Sequence, residues 1–339
     1  MNALLCPAFV LCWSSGFIGA KLGAGSAAAV TVLMWRALPP AVVLAAVAAI
    51  VARGSWRGLT VRAAARQAAI GALSQSGYLL TVYWAIQLGV SSGTTALIDG
   101  TQPLVAGALA GPLLGQYVSG RQWAGLGLGI AGVAVVTLAD ARSADGVAVW
   151  AYAVPFLGML SLVAATFLEG RTREEVAPSV AMTIHCAVSA VVFTALALAL
   201  GAATPPADAS FWTAVGWLAV FATFGGYGLY WLVLRRSGLV RVNTLMFLMA
   251  PVTAVWGALM FGEPFGVQTA AGLALGLAAV VIVYAGEGGA GGPGARAGRP
   301  ARAGSRAAEG AVAGADGRGP DRLARPDRPV SPDPPARCR

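Results

Sequence analysis

The sequence predicts an all-α integral membrane protein in which ten transmembrane helices form a 5+5 inverted-topology repeat. Three observations predict this fold. The 339-residue chain is 57% hydrophobic and only 11% charged, whereas soluble domains carry about 25% charged residues. Many of its apolar stretches reach the roughly 20 residues that a helix needs to cross a bilayer. Finally, the two halves of the chain share a pattern of residues at a fixed offset.

Ten apolar stretches have about the length of a membrane span, and they are separated by short polar connections. The predicted spans are 3–22, 29–52, 68–88, 94–114, 123–140, 147–168, 180–201, 211–234, 239–262 and 267–285. The connections after the even-numbered spans hold ten arginines: Arg53, Arg57, Arg62, Arg66, Arg121, Arg171, Arg173, Arg235, Arg236 and Arg241. The opposite connections hold only Arg142, with Lys21 at the end of the first span. Because basic loops stay in the cytoplasm, we expect a multi-pass protein of the cell (inner) membrane with both termini cytoplasmic.

An offset of 147 residues relates the two halves of the chain. It pairs Tyr83-Trp84 with Tyr230-Trp231, Gly115 with Gly262, Gln116 with Glu263, and GLGLG at 125–129 with GLALG at 272–276. Each half holds five predicted spans, and an odd number makes the second half enter the membrane from the opposite face. Such inverted repeats suit alternating access around a site near the bilayer midplane.

The offset and the composition together divide the chain into three parts. We predict a first five-helix repeat at 1–140, a second at 147–285, and a cytoplasmic tail at 286–339 that is rich in Gly, Ala, Arg and Pro. The tail has almost no large apolar residue, so it should be disordered. It also carries ten of the 23 basic residues. The excess of basic residues is therefore explained by loops that fix the membrane topology and by a solvated tail. The expected partner is the lipid bilayer and not a nucleic acid.

Several motifs of the predicted spans resemble one transporter family. WSSGFIGAKL at 13–22, MWRALPP at 34–40, the two Tyr-Trp pairs and the paired glycine blocks are similar to EamA-type transporters of the drug/metabolite transporter superfamily. The resemblance covers about 1–286. It implies a ten-helix bundle that moves amino acids, other metabolites or drugs by secondary transport. The family tends to have Glu after the Gly in each half, whereas the first half here has Gln116.

Charged side chains inside a membrane are costly and by default indicate function. Arg36 stands in the second span before Pro39-Pro40, and the fourth span contains Asp99 near Pro103. Arg36 is predicted to contact substrate or to be a structural or snorkelling residue. Asp99 is predicted to contact substrate or to carry the coupling proton, since burial favours a protonated carboxyl. The alternatives for Asp99 are an interface position or a pairing with Arg36.

Aromatic side chains and one acid complete the candidate site. Aromatic rings can line a cavity and hold organic substrates, or they can pack and anchor at the interface. The substrate-site candidates are Trp13, Tyr83, Trp84, Tyr230 and Trp231. Glu263 precedes Pro264, so it is predicted either to cap the N-terminus of the tenth span or to act in coupling or gating. The GxxxG pairs Gly125/Gly129 and Gly272/Gly276 indicate close helix packing or a homodimer.

The function predicted from these features is secondary transport of a small organic metabolite or drug across the cytoplasmic membrane by alternating access. We expect an exporter that is coupled to protons and needs no cofactor. The alternative is a membrane-embedded enzyme that acts on a lipid-soluble substrate. Against an enzyme, the chain has one histidine and no HExxH, GxSxG or phosphate-binding motif. The sequence predicts no metal site.

Overall fold

A computed structural model of the chain describes residues 2–50, 53–114, 119–143, 146–171 and 176–287. The described residues are helical and contain no strand. The last helix continues to Glu287, two residues into the predicted tail. The rest of the tail, and Gln116, lie outside the described residues.

The first half of the chain contributes seven of the described α-helices. These are α1 (Asn2–Ala24), α2 (Ala29–Ile50), α3 (Val61–Gly71), α4 (Tyr78–Gln87), α5 (Ser92–Gly100), α6 (Gln102–Leu114) and α7 (Gly120–Ser143). The second half contributes α8 (Val154–Gly170), α9 (Pro178–Ala199), α10 (Ala209–Trp217), α11 (Gly228–Met246), α12 (Met249–Phe261) and α13 (Val267–Glu287). Short 3₁₀ turns at Arg53–Trp56 and Val149–Ala153 precede α3 and α8.

Six helical stretches in the described part of the chain are long and apolar enough to cross a membrane, judged by length and composition. They are Leu4–Ala24, Ala29–Ile50, Gly120–Ser143, Val149–Gly170, Pro178–Ala199 and Ala209–Tyr230. Shorter apolar helices lie at Met249–Phe261 and Val267–Val283. The fourth predicted span is divided into α5 and α6 by Thr101, because Gly100 and Pro103 weaken the helix on either side of it.

The boundary predicted between the eighth and ninth spans is wrong. The structure has no loop at 235–238: helix continues from Ala209 through α11 to Met246, and α12 starts only at Met249. Arg235 and Arg236 are therefore exposed residues of a helix. Gly238 does not end this helix, because a single glycine costs a helix only about 1 kcal/mol relative to alanine, which neighbouring helical turns can absorb.

Two π-helical segments interrupt the longest helical runs. The first π segment, Ala72–Gly77, joins α3 to α4, and the second π segment, Leu218–Tyr227, joins α10 to α11. The offset of 147 residues carries the first segment onto 219–224, which lies inside the second. A π segment widens the helix and turns side chains to new directions, and such segments are frequent at functional sites.

Helices that the offset relates also pack against each other. In the described part of the chain, α7 packs along α13 and α2 packs along α9. The first helix of each half, α1 or α8, packs on the π segment of the other half. The bundle is thus assembled from reciprocal contacts between the halves, and both π segments are held between helices from different halves.

The α7–α13 contact depends on the absence of side chains at its crossing point. A Cβ added at Gly132 would lie 2.7 Å from the carbonyl oxygen of Gly272, which is closer than real Cβ contacts allow. The four glycines of the predicted GxxxG pairs also face side chains of the same chain, among them Val283, Leu104, Val136 and Leu97. In this structure they serve close packing within the bundle.

We expect Gly132→Ala to destabilise the bundle, because the new methyl group forces two backbones apart. Overpacking of this kind costs about 1–3 kcal/mol. Gly127 is the matched control: it lies on the same helix, and a Cβ there meets nothing within 4 Å. Thermal unfolding of the purified variants in detergent should show a lower midpoint for Gly132→Ala only. Equal midpoints for the two variants would contradict the close crossing of α7 and α13.

Candidate functional site

A cavity with an empty volume of about 460 Å³ lies among α1, α2, α4 and the second π segment. Its walls are mostly aromatic and apolar, with one charged residue: Trp13, Gly16, Phe17, Arg36, Tyr78, Leu79, Val82, Tyr83, Ala222 and Tyr227. Three of the predicted site residues, Trp13, Arg36 and Tyr83, are therefore brought together in one wall.

Arg36 is the charged residue of this cavity, and it is only 7% exposed. Its guanidinium donates hydrogen bonds to the hydroxyls of Tyr83 and, at 3.3 Å, of Thr223. The guanidinium carbon also lies 5.5 Å from the centre of the Tyr83 ring. Among the described residues no carboxylate forms an ion pair with Arg36. A snorkelling arginine and a pairing with Asp99 are thus both wrong, since the group is buried and its partners are hydroxyls.

Asp99 lies in the last turn of α5 and reaches the cavity through Tyr78. The Tyr78 hydroxyl donates to Asp99 Oδ2 at 2.8 Å. Asp99 Oδ1 is buried, and no described residue forms a hydrogen bond with it. Among the described residues the carboxyl therefore has one hydrogen-bond donor and no ion pair. The Tyr78 hydroxyl thus links the Asp99 carboxyl to the cavity wall.

The other predicted aromatic residues lie elsewhere. Trp84 is 43% exposed and packs against Trp150 with ring centres 5.9 Å apart, so its assignment to the substrate site is wrong. Consecutive residues of a helix point about 100° apart, and the burial of Tyr83 turns Trp84 outward. Tyr230 is half-buried and packs against Trp13 at 5.9 Å, behind the cavity wall. The side chain of Trp231 lies outside the described part of the chain.

Glu263 caps a helix, but not the helix that the sequence indicated. Its carboxylate accepts hydrogen bonds from the backbone N–H of Ser92 at 2.9 and 3.0 Å and from the Ser92 hydroxyl at 2.6 Å. It also lies 3.3 Å from Lys21 Nζ. The predicted cap of the tenth span is wrong, because Gly262, at φ +64°, ends α12 in a left-handed turn and Glu263 then faces the start of α5.

A second carboxylate holds the same helix start. Asp140, at the end of α7, accepts a hydrogen bond from the backbone N–H of Ser91 at 3.1 Å and is only 4% exposed. The N-terminus of α5 thus meets two acids and one lysine, from α1, α7 and the connection after α12. Carboxylates are stabilised at a helix N-terminus by its unpaired N–H groups and its dipole. This outer cluster, comprising Lys21, Ser91, Ser92, Asp140 and Glu263, connects the two halves.

Sequence reasoning missed several residues of the site. Gln75 and Thr223 lie in the π segments, and they line the compartment on the far side of Arg36. No residue pattern predicts the π-helical geometry that directs Gln75 and Thr223 toward this compartment. Asp140 was predicted only as the last residue of the fifth span. Its position as an acid at a helix end was the one sequence signal for a role, and acids at helix ends have many structural explanations.

Comparisons with known proteins give two findings. A model of the EamA-like transporter family matches the chain twice, over residues 2–138 and 149–285, at the offset that relates the two halves. A solved structure described as "Crystal structure of protein" is 20% identical, with a TM-score of 0.56, over 83% of this chain and 95% of that one. The second likeness concerns the fold alone. No curated protein matches the chain.

We expect Lys21 and Glu263 to be energetically coupled. Glu263→Gln keeps the shape but removes the ion pair, so its free energy of unfolding should fall by about 1 kcal/mol, and Lys21→Gln should have a similar effect. In the double variant the loss should be smaller than the sum of the single losses. The measurement is chemical unfolding in detergent for all four proteins. Strict additivity would show that the 3.3 Å contact contributes nothing to stability.

Proposed function

We propose that this chain, which belongs to the EamA-like transporter family, is a secondary transporter that moves a small organic solute across the cytoplasmic membrane by alternating access. Family membership and the apolar helices make it a multi-pass membrane protein. The observation that carries the proposal is the aromatic cavity around Arg36, at the junction of helices from both halves. It has the mixture of apolar walls and few polar groups expected of a small-molecule site.

We propose that the two family repeats have opposite orientations in the membrane. If each helical run crosses once, five runs per repeat produce this inversion. The reciprocal packing of α2 with α9 and of α7 with α13 supports it, because two-fold symmetry brings equivalent helices together. The basic residues of alternate connections support cytoplasmic termini. In this topology the outer cluster of Lys21 and Glu263 lies at the external end of the bundle.

Alternating access requires the cavity to open to each side in turn. We assign Glu263 to an external gate, because its contacts to Lys21 and Ser92 join the second repeat to α1 and α5 of the first. Opening toward the outside would separate these groups and expose them to water, where their charges are well solvated. The offset places Gln116, which lies outside the described residues, at the equivalent position of the first repeat, so the equivalent side chain there is uncharged.

We propose proton-coupled export, with Asp99 as the proton carrier. Its carboxyl is bonded to Tyr78, which shares the cavity wall with Arg36, Tyr83 and Tyr227. Loading and release of a proton would change the charge beside the substrate as the cavity opens to each side. A break between α5 and α6 at Thr101 follows Asp99 within two residues.

Asp99→Asn should abolish flux driven by a pH gradient but retain passive exchange, because asparagine keeps the size of the side chain and cannot lose a proton. Flux would be measured in proteoliposomes, with the radiolabelled solutes that the wild-type protein moves from a panel of amino acids, organic acids and cationic drugs. Asp208→Asn is the control, because Asp208 is exposed before α10 and asparagine also caps helices. Full gradient-driven flux in Asp99→Asn would remove Asp99 as the carrier.

A further inference from the structure

Arg36 is a buried cation with no counter-ion among the residues that the structure describes. Arginine offers five N–H donors. The guanidinium of Arg36 donates hydrogen bonds to Tyr83 and Thr223, and both acceptors are neutral hydroxyls. It is 7% exposed. A buried charge without an opposite charge is strongly destabilising, because its lost hydration is not replaced. A membrane protein that keeps such a residue beside a cavity has a place for an anion.

The elements packed around Arg36 offer no anion of their own. From α4 it faces Tyr83, from the second π segment Thr223 and Tyr227, and from α9 Cys186 and Ser189. Asp99, whose Oδ2 accepts a hydrogen bond from Tyr78 of this wall, lines neither cavity and forms no ion pair with Arg36. The one ion pair found among the described residues is that of Lys21 with Glu263. No counter-charge for Arg36 is found among the described residues, and an anion in the cavity can supply one.

Arg36 stands between two compartments of different character. Toward α1 lies the 460 Å³ cavity with the rings of Trp13 and Tyr227. Toward α9 lies a second cavity, of about 340 Å³, with the polar side chains of Gln75, Ser189 and Thr223. A ligand whose anionic group meets Arg36 can thus place an apolar, planar body against the rings on the first side.

We propose that the transported solute is an organic monoanion, whose carboxylate pairs with Arg36 and whose apolar body lies against Trp13 and Tyr227. This inference rests on the proposed transport function and specifies its substrate class. The planar guanidinium binds a carboxylate through two parallel N–H···O bonds, which are stronger than bonds between neutral groups. Aromatic walls favour planar bodies such as a phenyl or naphthyl ring, and stacking adds to the apolar contact.

The test compares acids with neutral and cationic compounds of the same shape. The probes are phenylacetate, 3-phenylpropionate and 2-naphthoate, each with its primary amide and the amine of matching skeleton. Binding to the purified full chain is measured by the shift in its thermal unfolding midpoint and by tryptophan fluorescence. We expect the acids to bind about 10- to 100-fold more tightly than the amides, the range for a hydrogen bond to a charged group.

Variants of Arg36 distinguish the effect of its charge on binding from the effect of its shape. Arg36→Gln should bind acids and amides equally weakly, whereas Arg36→Lys should keep a preference for acids because it keeps the charge. Arg62→Gln, at an exposed position on α3, is the matched control and should behave as the wild type. If Arg36→Gln does not fold, comparing acids with amides on the wild type and on Arg36→Lys still tests whether an anionic group is preferred.

Flux of the same probes distinguishes the inference from the transport function beneath it. Saturable flux of amides or amines at rates equal to those of the acids would overturn the anion and leave transport standing. Acids that bind through Arg36 but do not cross the membrane would support the anion site and overturn transport. Failure of every acid to bind would overturn the substrate class.

Discussion

The burial of one arginine among aromatic residues is the constraint around which this bundle is organised. Arg36 lies on α2, and its hydrogen-bond partners come from α4 of the first half and from the π segment of the second half. Desolvating a guanidinium is expensive unless its environment is arranged for it. The cavity and the two π segments together form that environment. We infer that the substrate supplies the negative counter-charge of Arg36.

Composition and the repeat were enough to predict the helical class, and the quoted motifs carried the resemblance to the family. The matches of the EamA-like model confirm the resemblance read from the motifs, and they fall at the offset of 147 residues seen in the sequence. Arg36 and Tyr83 were placed at the site because a charge inside a span and a repeated aromatic pair are conspicuous. Trp84 and Tyr230 were not separable from Tyr83, since which face of a helix is buried depends on neighbours that the sequence does not identify.

Long-range pairings explain the remaining differences. Glu263 caps α5 because α12 packs beside α5 and brings the two chain segments together, although 171 residues separate Glu263 from Ser92. No local pattern encodes that approach. The π segments also could not be predicted from the sequence, because their sequences, ALSQSG and LAVFATFGGY, are equally compatible with an ordinary α-helix. Their equivalent places in the two repeats indicate that they belong to the shared architecture and not to an accident of one half.

The central claim is that the cavity beside Arg36 opens alternately to the two sides of the membrane. Ala222 lies in its wall, so Ala222→Cys in a background without the native cysteines places a thiol there. Its labelling by a membrane-impermeant maleimide is measured from each side, in right-side-out and inside-out vesicles. We predict labelling from both sides, with Glu263→Gln increasing the rate from the external side. Labelling from one side alone, in every variant and with every solute added, would contradict alternating access.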